Sequence, residues 1–281
     1  MELRQLFGGH SRHWREFVYV YPVISRRAKG LSIGINLNPD GACNFDCVYC
    51  QVDRTVTPRV RTVDLAVLER ELRHLVGNYR KLFEEREFRH VPDVYRRLND
   101  IAFSGDGEPT ASPVFLDAVR VAVGLRRGFA VPEAKIIIIT DACFLTRPKV
   151  AEALALLDAN NGEIWAKLDA GTEEYYRLVN RPGHPLQHVL DNILTAARIR
   201  PVVIQSLFMR LHNEPPAAAE ISAYVERLRA LGAQGGHIGL VQIYSIARRP
   251  AEPFAAALNA DELERIAAPV RALGLPVEVY A

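Results

Sequence analysis

Three of the chain's four cysteines fall in one short run, Cys43-Asn44-Phe45-Asp46-Cys47-Val48-Tyr49-Cys50, spaced Cys-x3-Cys-x2-Cys. Thiolates are soft ligands suited to iron–sulfur clusters and to zinc. A run this short can turn three of them toward one centre. An ordinary [4Fe–4S] cluster takes four cysteines, and structural zinc usually takes four ligands. Here the local motif supplies three, which leaves one coordination position for a small molecule. The competing chemistry is a closed site, zinc or a structural cluster, completed by a distant histidine or by Cys143.

Other residues with chemical potential follow hydrophobic runs. Ile101-Ala102-Phe103 leads into Ser104-Gly105-Asp106-Gly107-Glu108-Pro109-Thr110, where two glycines allow close backbone approach to a ligand and a proline stiffens the exit. An ordinary strand-to-helix turn has the same composition. Thr140-Asp141-Ala142 follows another apolar run, with Asp141 suited to a helix N-cap or a cofactor contact. Lys167 and Asp169 flank Leu168 and alternate onto one side. They suit a carboxylate and ribose hydroxyls respectively, or a surface ion pair. Gln205, Gln242 and Tyr244 interrupt apolar strands; buried, they need hydrogen-bond partners, from a ligand or from one another. Cys143 suits a hydrogen-atom donor, a cluster ligand or a small buried residue.

These residues need elements to position them. Leu31 to Leu37 reads as a strand before the cysteine run, and residues 63 to 85 carry apolar residues at helical spacing. Pro113 to Leu125 reads as a helix with Ser112 as N-cap. Strands are expected at 101–103, 136–139, 163–168, 202–208, 238–244 and 277–280. Helices are expected at 148–157, 186–198, 215–231 and 261–273. Ile136 to Ile139 is apolar at every position, as in a strand covered on both faces. Strand–helix alternation implies an α/β fold with parallel strands and right-handed crossovers, hence a partial (β/α)6 TIM-like barrel. A flat doubly wound sheet shares the pattern. Functional residues of a barrel gather at the C-terminal strand ends, where the residues above fall. Residues 1–30 read as an N-terminal extension to a core domain at 31–281, with a basic, aromatic stretch from His10 to Tyr21.

The cysteine spacing, with Tyr49 just before the last cysteine, resembles the signature of the radical S-adenosylmethionine (SAM) superfamily. The resemblance implies a [4Fe–4S] cluster on Cys43, Cys47 and Cys50, with SAM chelated at the open iron. It implies an enzyme that cleaves SAM reductively to methionine and a 5′-deoxyadenosyl radical, which abstracts hydrogen from a substrate. Gly105, Asp106, Gly107 and Glu108 stand where the family has a Gly-Gly-Glu-type motif that meets the ammonium of SAM. Thr140 stands in the Thr/Ser-Asn-Gly/Ala turn, with Asp141 replacing Asn. Tyr49, Lys167, Asp169, Gln205 and Gln242 complete the expected SAM contacts. From Ser32 to Tyr280 the chain resembles the branch that includes the wyosine-base synthases, which act on tRNA. The carrying segments are Cys43 to Cys50, Ser104 to Thr110, Lys167 to Thr172, Asn180-Arg181-Pro182 and Val241 to Ile246. The archaeal members of that branch hold a second cluster on extra N-terminal cysteines, and this chain has none before Cys43. A related enzyme with another substrate is therefore expected.

Composition bounds the rest. The chain has 281 residues and a formal charge of +2, too small to demand a nucleic-acid partner; tRNA is compatible but not indicated. No apolar run reaches the ~18 residues of a membrane span, and the polar start does not read as a secretory signal. The expectation is a cytoplasmic protein, where thiols stay reduced, served by an external one-electron donor of the flavodoxin or ferredoxin kind. A non-catalytic metal module binding RNA or protein through His10 to Tyr21 is the alternative from another functional class.

Overall fold

The computed structural model describes residues 14–281; His10, Arg12 and His13 of the expected extension lie outside them. The described chain divides into two compact units, residues 14–42, 56–139 and 147–163 in one, and 43–55, 140–146 and 164–281 in the other.

In the first unit, β1 (Val20–Ser25) pairs antiparallel with β2 (Gly30–Ile35). β2 pairs parallel with β3 (Leu98–Phe103), and β3 with β4 (Lys135–Thr140). Helices α1 (Leu65–Leu82), α2 (Phe115–Gly128) and α3 (Pro148–Asp158) make the crossovers. β1 lies within the segment read as an extension. Its strand propensity was masked by Pro22, which an edge strand tolerates because one side of its ladder is unpaired. Buried Glu71 of α1 accepts the backbone N–H groups of Val18 (2.8 Å), Tyr19 (2.9 Å) and Val20 (3.2 Å), fixing the entry to β1. Trp14 is buried against Phe88, with ring centroids 5.6 Å apart, and Tyr19 and Tyr21 are also buried. Trp14, Tyr19 and Tyr21 of the His10-to-Tyr21 stretch thus serve the core, while Phe17 is half-buried against His74.

Ser112 does not cap α2. It closes a short 3-10 turn (Pro109–Ala111), and Val114 occupies the N-cap. The turn's own N-cap is Glu108, which accepts Thr110 N–H at 2.9 Å; α2 starts only at Phe115, too late for Ser112 to be its N-cap.

In the second unit, β5 (Gly162–Lys167), β6 (Val202–Leu207), β8 (Ile238–Tyr244) and β10 (Val277–Tyr280) run parallel in that order. Between β6 and β8 the chain forms β7 (Met209–Leu211), which pairs antiparallel with β9 (Ala255–Ala257) in a separate two-stranded sheet. The helices are α4 (Glu173–Asn180), α5 (Leu186–Ile199), α6 (Ala218–Ala233) and α7 (Ala260–Arg271). Thr172 caps α4, and Asn259 with Glu262 forms a capping box on α7, satisfying N–H groups that have no intrahelical partner. Among the described residues, no helix is long and apolar enough to cross a membrane.

Candidate active site

The cysteine run lies wholly in the second unit, and the end of α4 holds it. The last carbonyls of a helix lack intrahelical partners; here Val179 O accepts from Val48 N–H at 2.9 Å and Asn180 O from Asp46 N–H at 3.1 Å. Val48 is fully buried and packs in a cluster with Val179, Leu207, Met209 and Ala255. Arg181 takes a left-handed conformation at the helix C-cap. From there its guanidinium reaches Glu252 at 2.7 Å and Asp46 at 3.4 Å. Glu252 N–H in turn donates to Val48 O at 3.1 Å. Backbone bonds and one apolar anchor thus fix the middle of the run, with Cys43 left exposed and Cys47 and Cys50 partly covered.

Behind the run sits a buried polar network. Asp169, 2% exposed, accepts on one oxygen from Lys167 Nζ at 2.9 Å and from Leu207 N–H at 2.8 Å. On the other it accepts from the Tyr49 hydroxyl and from Asn180 Nδ2, the latter at 3.0 Å. Lys167 also donates to Tyr244 Oη at 2.6 Å and lies over the rings of Tyr49 and Tyr244. Asn180 Nδ2 further approaches Tyr49 Oη at 3.3 Å and Cys47 Sγ at 3.4 Å. Lys167 and Asp169 therefore do pair, but in the interior and not on the surface. With four donors, Asp169 is occupied by its own protein.

Charges follow from that geometry. Burial works against the Lys167 ammonium, yet Asp169 and then Tyr244 outweigh it and hold its pKa above the ordinary lysine value. Burial first, then the negative charge of Asp169, pushes Tyr49 well above the usual phenol range, so it stays a donor. Burial pushes the Cys47 thiol up to about 12 despite the Asn180 hydrogen bond. In this environment a positive centre must displace the proton if Cys47 is to ligate, as metal binding to thiols requires.

The other expected site residues occupy several settings. Gln205 and Gln242 are register partners on β6 and β8 and are fully buried. Gln205 Nε2 donates to Gln242 Oε1 at 2.8 Å, so the two amides satisfy one another in part, while Gln205 Oε1 is buried without a protein partner. They share one row across the parallel strands with Lys167 and Glu278. Thr140 Oγ accepts from Ala142 N–H at 3.0 Å, and Asp141 accepts from Cys143 N–H at 2.9 Å. The pair thus shapes a turn around Ala142, whose φ is +66°; Asp141 is not a helix N-cap, since the N-cap position of α3 falls at Arg147. Cys143 is buried, and its carbonyl accepts from Asn192 Nδ2 and meets His188 Nε2, both at 2.9 Å.

In the first unit, the Ser104–Thr110 turn packs on the chain leaving β2. Asp106 accepts from Asn36 Nδ2 at 2.7 Å, and its N–H donates back to Asn36 Oδ1 at 3.1 Å. A Cβ on Gly105 would lie 2.3 Å from Asn36 Oδ1, and one on Gly107 would lie 2.0 Å from Ala42 O. Both glycines are therefore required by close backbone approach, whatever else they bind. Glu108 is buried and caps its own turn through Thr110.

Sequence reasoning did not single out Asn180 as a site residue. Its signal was present in Asn180-Arg181-Pro182, where an amide sits at the end of a short helix before a proline, but helix ends are commonly polar.

The donors suit an iron–sulfur cluster. Three soft ligands stand in one run, and Arg54 Nη1 lies 3.3 Å from Cys50 Sγ, so two of the three sulfurs already receive N–H donors. Asn44 Nδ2 and Asn180 Oδ1 are buried polar atoms without a protein partner, and buried polar atoms ordinarily have one. Among the described residues, no group of three His, Cys, Asp or Glu side chains stands at metal-holding distance. The fit is thus one of donor chemistry and spacing, not of a preformed cradle.

Comparison with known proteins agrees with this chemistry. The family model of the radical SAM superfamily matches residues 37–221, more than half of the chain; enzymes of that superfamily use a [4Fe–4S] cluster and SAM. The UPF0026 protein MJ1312 of Methanocaldococcus jannaschii is 33% identical over 62% of this chain and 46% of its own length. The UPF0026 protein slr1464 of a Synechocystis species is 28% identical over 64% of this chain and 59% of its own. The chain thus spans only about half the length of these curated relatives. Among solved structures, a radical SAM methyltransferase from Sphaerobacter thermophilus superposes with a TM-score of 0.65 at 14% identity, over 93% of this chain and 68% of that one. SAM-bound SuiB of Streptococcus suis superposes at 0.61 and 12% identity, over 91% and 52%. At such identities the likeness speaks for the fold alone, and that fold is the partial (β/α) barrel which the strand–helix alternation implied.

Proposed function

Because the chain belongs to the radical SAM superfamily, we propose that it is an enzyme that holds one [4Fe–4S] cluster on Cys43, Cys47 and Cys50 and cleaves SAM reductively to abstract hydrogen from an organic substrate. The observation that carries the reading is the three-cysteine run itself: three thiols at superfamily spacing, held by the end of α4. Cys43, Cys47 and Cys50 would hold the cluster, which would supply one electron to the sulfonium of SAM.

The chain's own residues bind and orient. Tyr49, Asp169 and Asn180 brace the cysteine run from behind. A lysine ammonium has three N–H donors, and those of Lys167 toward Asp169 and Tyr244 account for two; the third is assigned to the carboxylate of SAM. Gln205 Oε1, a buried acceptor without a partner, with Gln242 behind it, is assigned to an N–H of the ligand. On the family's pattern, Thr140, in the same unit as the cysteine run, shapes a cofactor-facing turn. Asp169 is assigned to positioning, since both its oxygens are taken. A one-electron donor of the flavodoxin or ferredoxin class is the required partner.

The test is anaerobic reconstitution with iron and sulfide, followed by dithionite and SAM. The proposal expects 5′-deoxyadenosine and methionine in equal amounts, abolished in Cys47→Ala. A fully loaded protein that gives neither product, with dithionite or a flavodoxin system, overturns it.

A further inference from the structure

The side chain of Asn180 touches both a cysteine sulfur and the charged network behind the run. Asn180 Nδ2 lies 3.4 Å from Cys47 Sγ, 3.3 Å from Tyr49 Oη and 3.0 Å from Asp169 Oδ2. Asn180 is 2% exposed, and its backbone carbonyl also receives Asp46 N–H from within the run. A single amide thus grips the run by its main chain and by a ligand sulfur. Its Oδ1 is buried with no protein partner, so the amide's orientation is set by what the Nδ2 side donates to, not by a balanced pair of contacts.

Hydrogen bonds to cluster sulfurs and exclusion of water are among the levers that set iron–sulfur reduction potentials. An added electron makes the ligand sulfurs more negative, so an N–H donor aimed at one stabilises the reduced state more than the oxidised state. The donor at Cys47 acts in a buried setting, where electrostatic effects are least screened. By contrast, Arg54, which reaches Cys50 from beyond the run, is exposed, whereas Asn180 is buried.

We infer that Asn180 is a positioning residue for the cluster: its carboxamide donates to Cys47 Sγ and raises the cluster's reduction potential, making electron uptake easier. The inference rests on the assignment of Cys47 as a cluster ligand. Removing the donor, as in Asn180→Ala, lowers the reduction equilibrium constant about tenfold, equivalent to 59 mV for a one-electron couple. Asn180→Asp lowers it further, because a carboxylate adds negative charge and cannot donate.

The experiment begins with iron and acid-labile sulfide in reconstituted wild-type protein. A wild-type protein that holds zinc, or iron without sulfide, overturns the proposed function and this inference with it. Where the wild type loads, mediated redox titration followed by electron paramagnetic resonance compares it with both variants. A fall of about tenfold in Asn180→Ala, at equal iron content and an unchanged melting temperature, is the expected result. A change of less than twofold overturns the inference and leaves the proposed function standing. Should the variants fail to load, protein carrying 15N-asparagine in an Asn44→Gln background decides: a nitrogen hyperfine coupling on the reduced cluster supports the hydrogen bond, and its absence overturns it. A merely structural asparagine would move the melting temperature and neither the potential nor the coupling.

Discussion

Asp169→Asn is the substitution that most sharply tests the buried network behind the cysteine run. The side chains of Asp169 and Lys167 are 1% and 13% exposed and meet at 2.9 Å. Removing one partner of a buried ion pair costs about 3–5 kcal/mol, because the other charge is left uncompensated; an exposed pair is worth about 0–1 kcal/mol. Asparagine retains one acceptor oxygen for Leu207 N–H or the Tyr49 hydroxyl, which puts the expectation at the lower end, about 3 kcal/mol. Urea unfolding followed by fluorescence of Trp165, buried in β5 of the same unit, measures it. Adding Lys167→Met removes the stranded ammonium and should recover about 2 kcal/mol, since residues of one network couple instead of adding. A loss below about 1 kcal/mol in the single variant, or strict additivity in the double, refutes the buried-pair account.

Three further outcomes are expected. Burial raises the carboxyl of Asp100 to about 7, partly offset by the Ser32 hydroxyl that donates to it and reinforced by Glu163. The folded state therefore binds this proton more tightly than the unfolded one. Stability from this group is full below pH ~4 and is lost as pH rises through about 7. Asp100→Asn should flatten that dependence and stabilise the protein at pH 8 by up to about 4 kcal/mol, read from denaturation midpoints across pH. Gly107→Ala should lower the melting temperature, because its Cβ would meet the Ala42 carbonyl. Gly124→Ala in α2, where a Cβ meets nothing within 4 Å, should stabilise by about 0.5–1 kcal/mol; equal effects would contradict the close-approach argument. Cys143→Ser should leave iron content unchanged while Cys43→Ser, Cys47→Ser and Cys50→Ser each reduce it; loss of iron in Cys143→Ser would make Cys143 a fourth ligand.

The parts legible in the sequence are those that local chemistry dictates. Three cluster ligands within one loop must be close in sequence, so the cysteine run announces itself. Buried parallel strands must be apolar throughout, so Ile136 to Ile139 marks β4, and Gln205 and Gln242 stand out as polar intrusions. What stayed hidden depends on the partner across space. Gln205 and Gln242 face each other only because β6 and β8 are adjacent in that register. Lys167 and Asp169 read equally as surface or interior until Leu207, Tyr49 and Asn180 close around them. Strands as short as β7 and β9, three residues each, carry no periodicity to detect, and α4, eight residues long, follows Thr172 too briefly to show one. Ser112 misled for a related reason: a short 3-10 turn precedes the helix and delays its start to Phe115.

The central claim is that three thiolates leave one iron of a [4Fe–4S] cluster to SAM. Mössbauer spectroscopy of anaerobic protein loaded with 57Fe, before and after adding SAM, addresses it directly. The account predicts that one iron site in four shifts when SAM is added while the other three do not. Four sites that remain equivalent and unmoved by SAM, in a fully loaded protein, would contradict it.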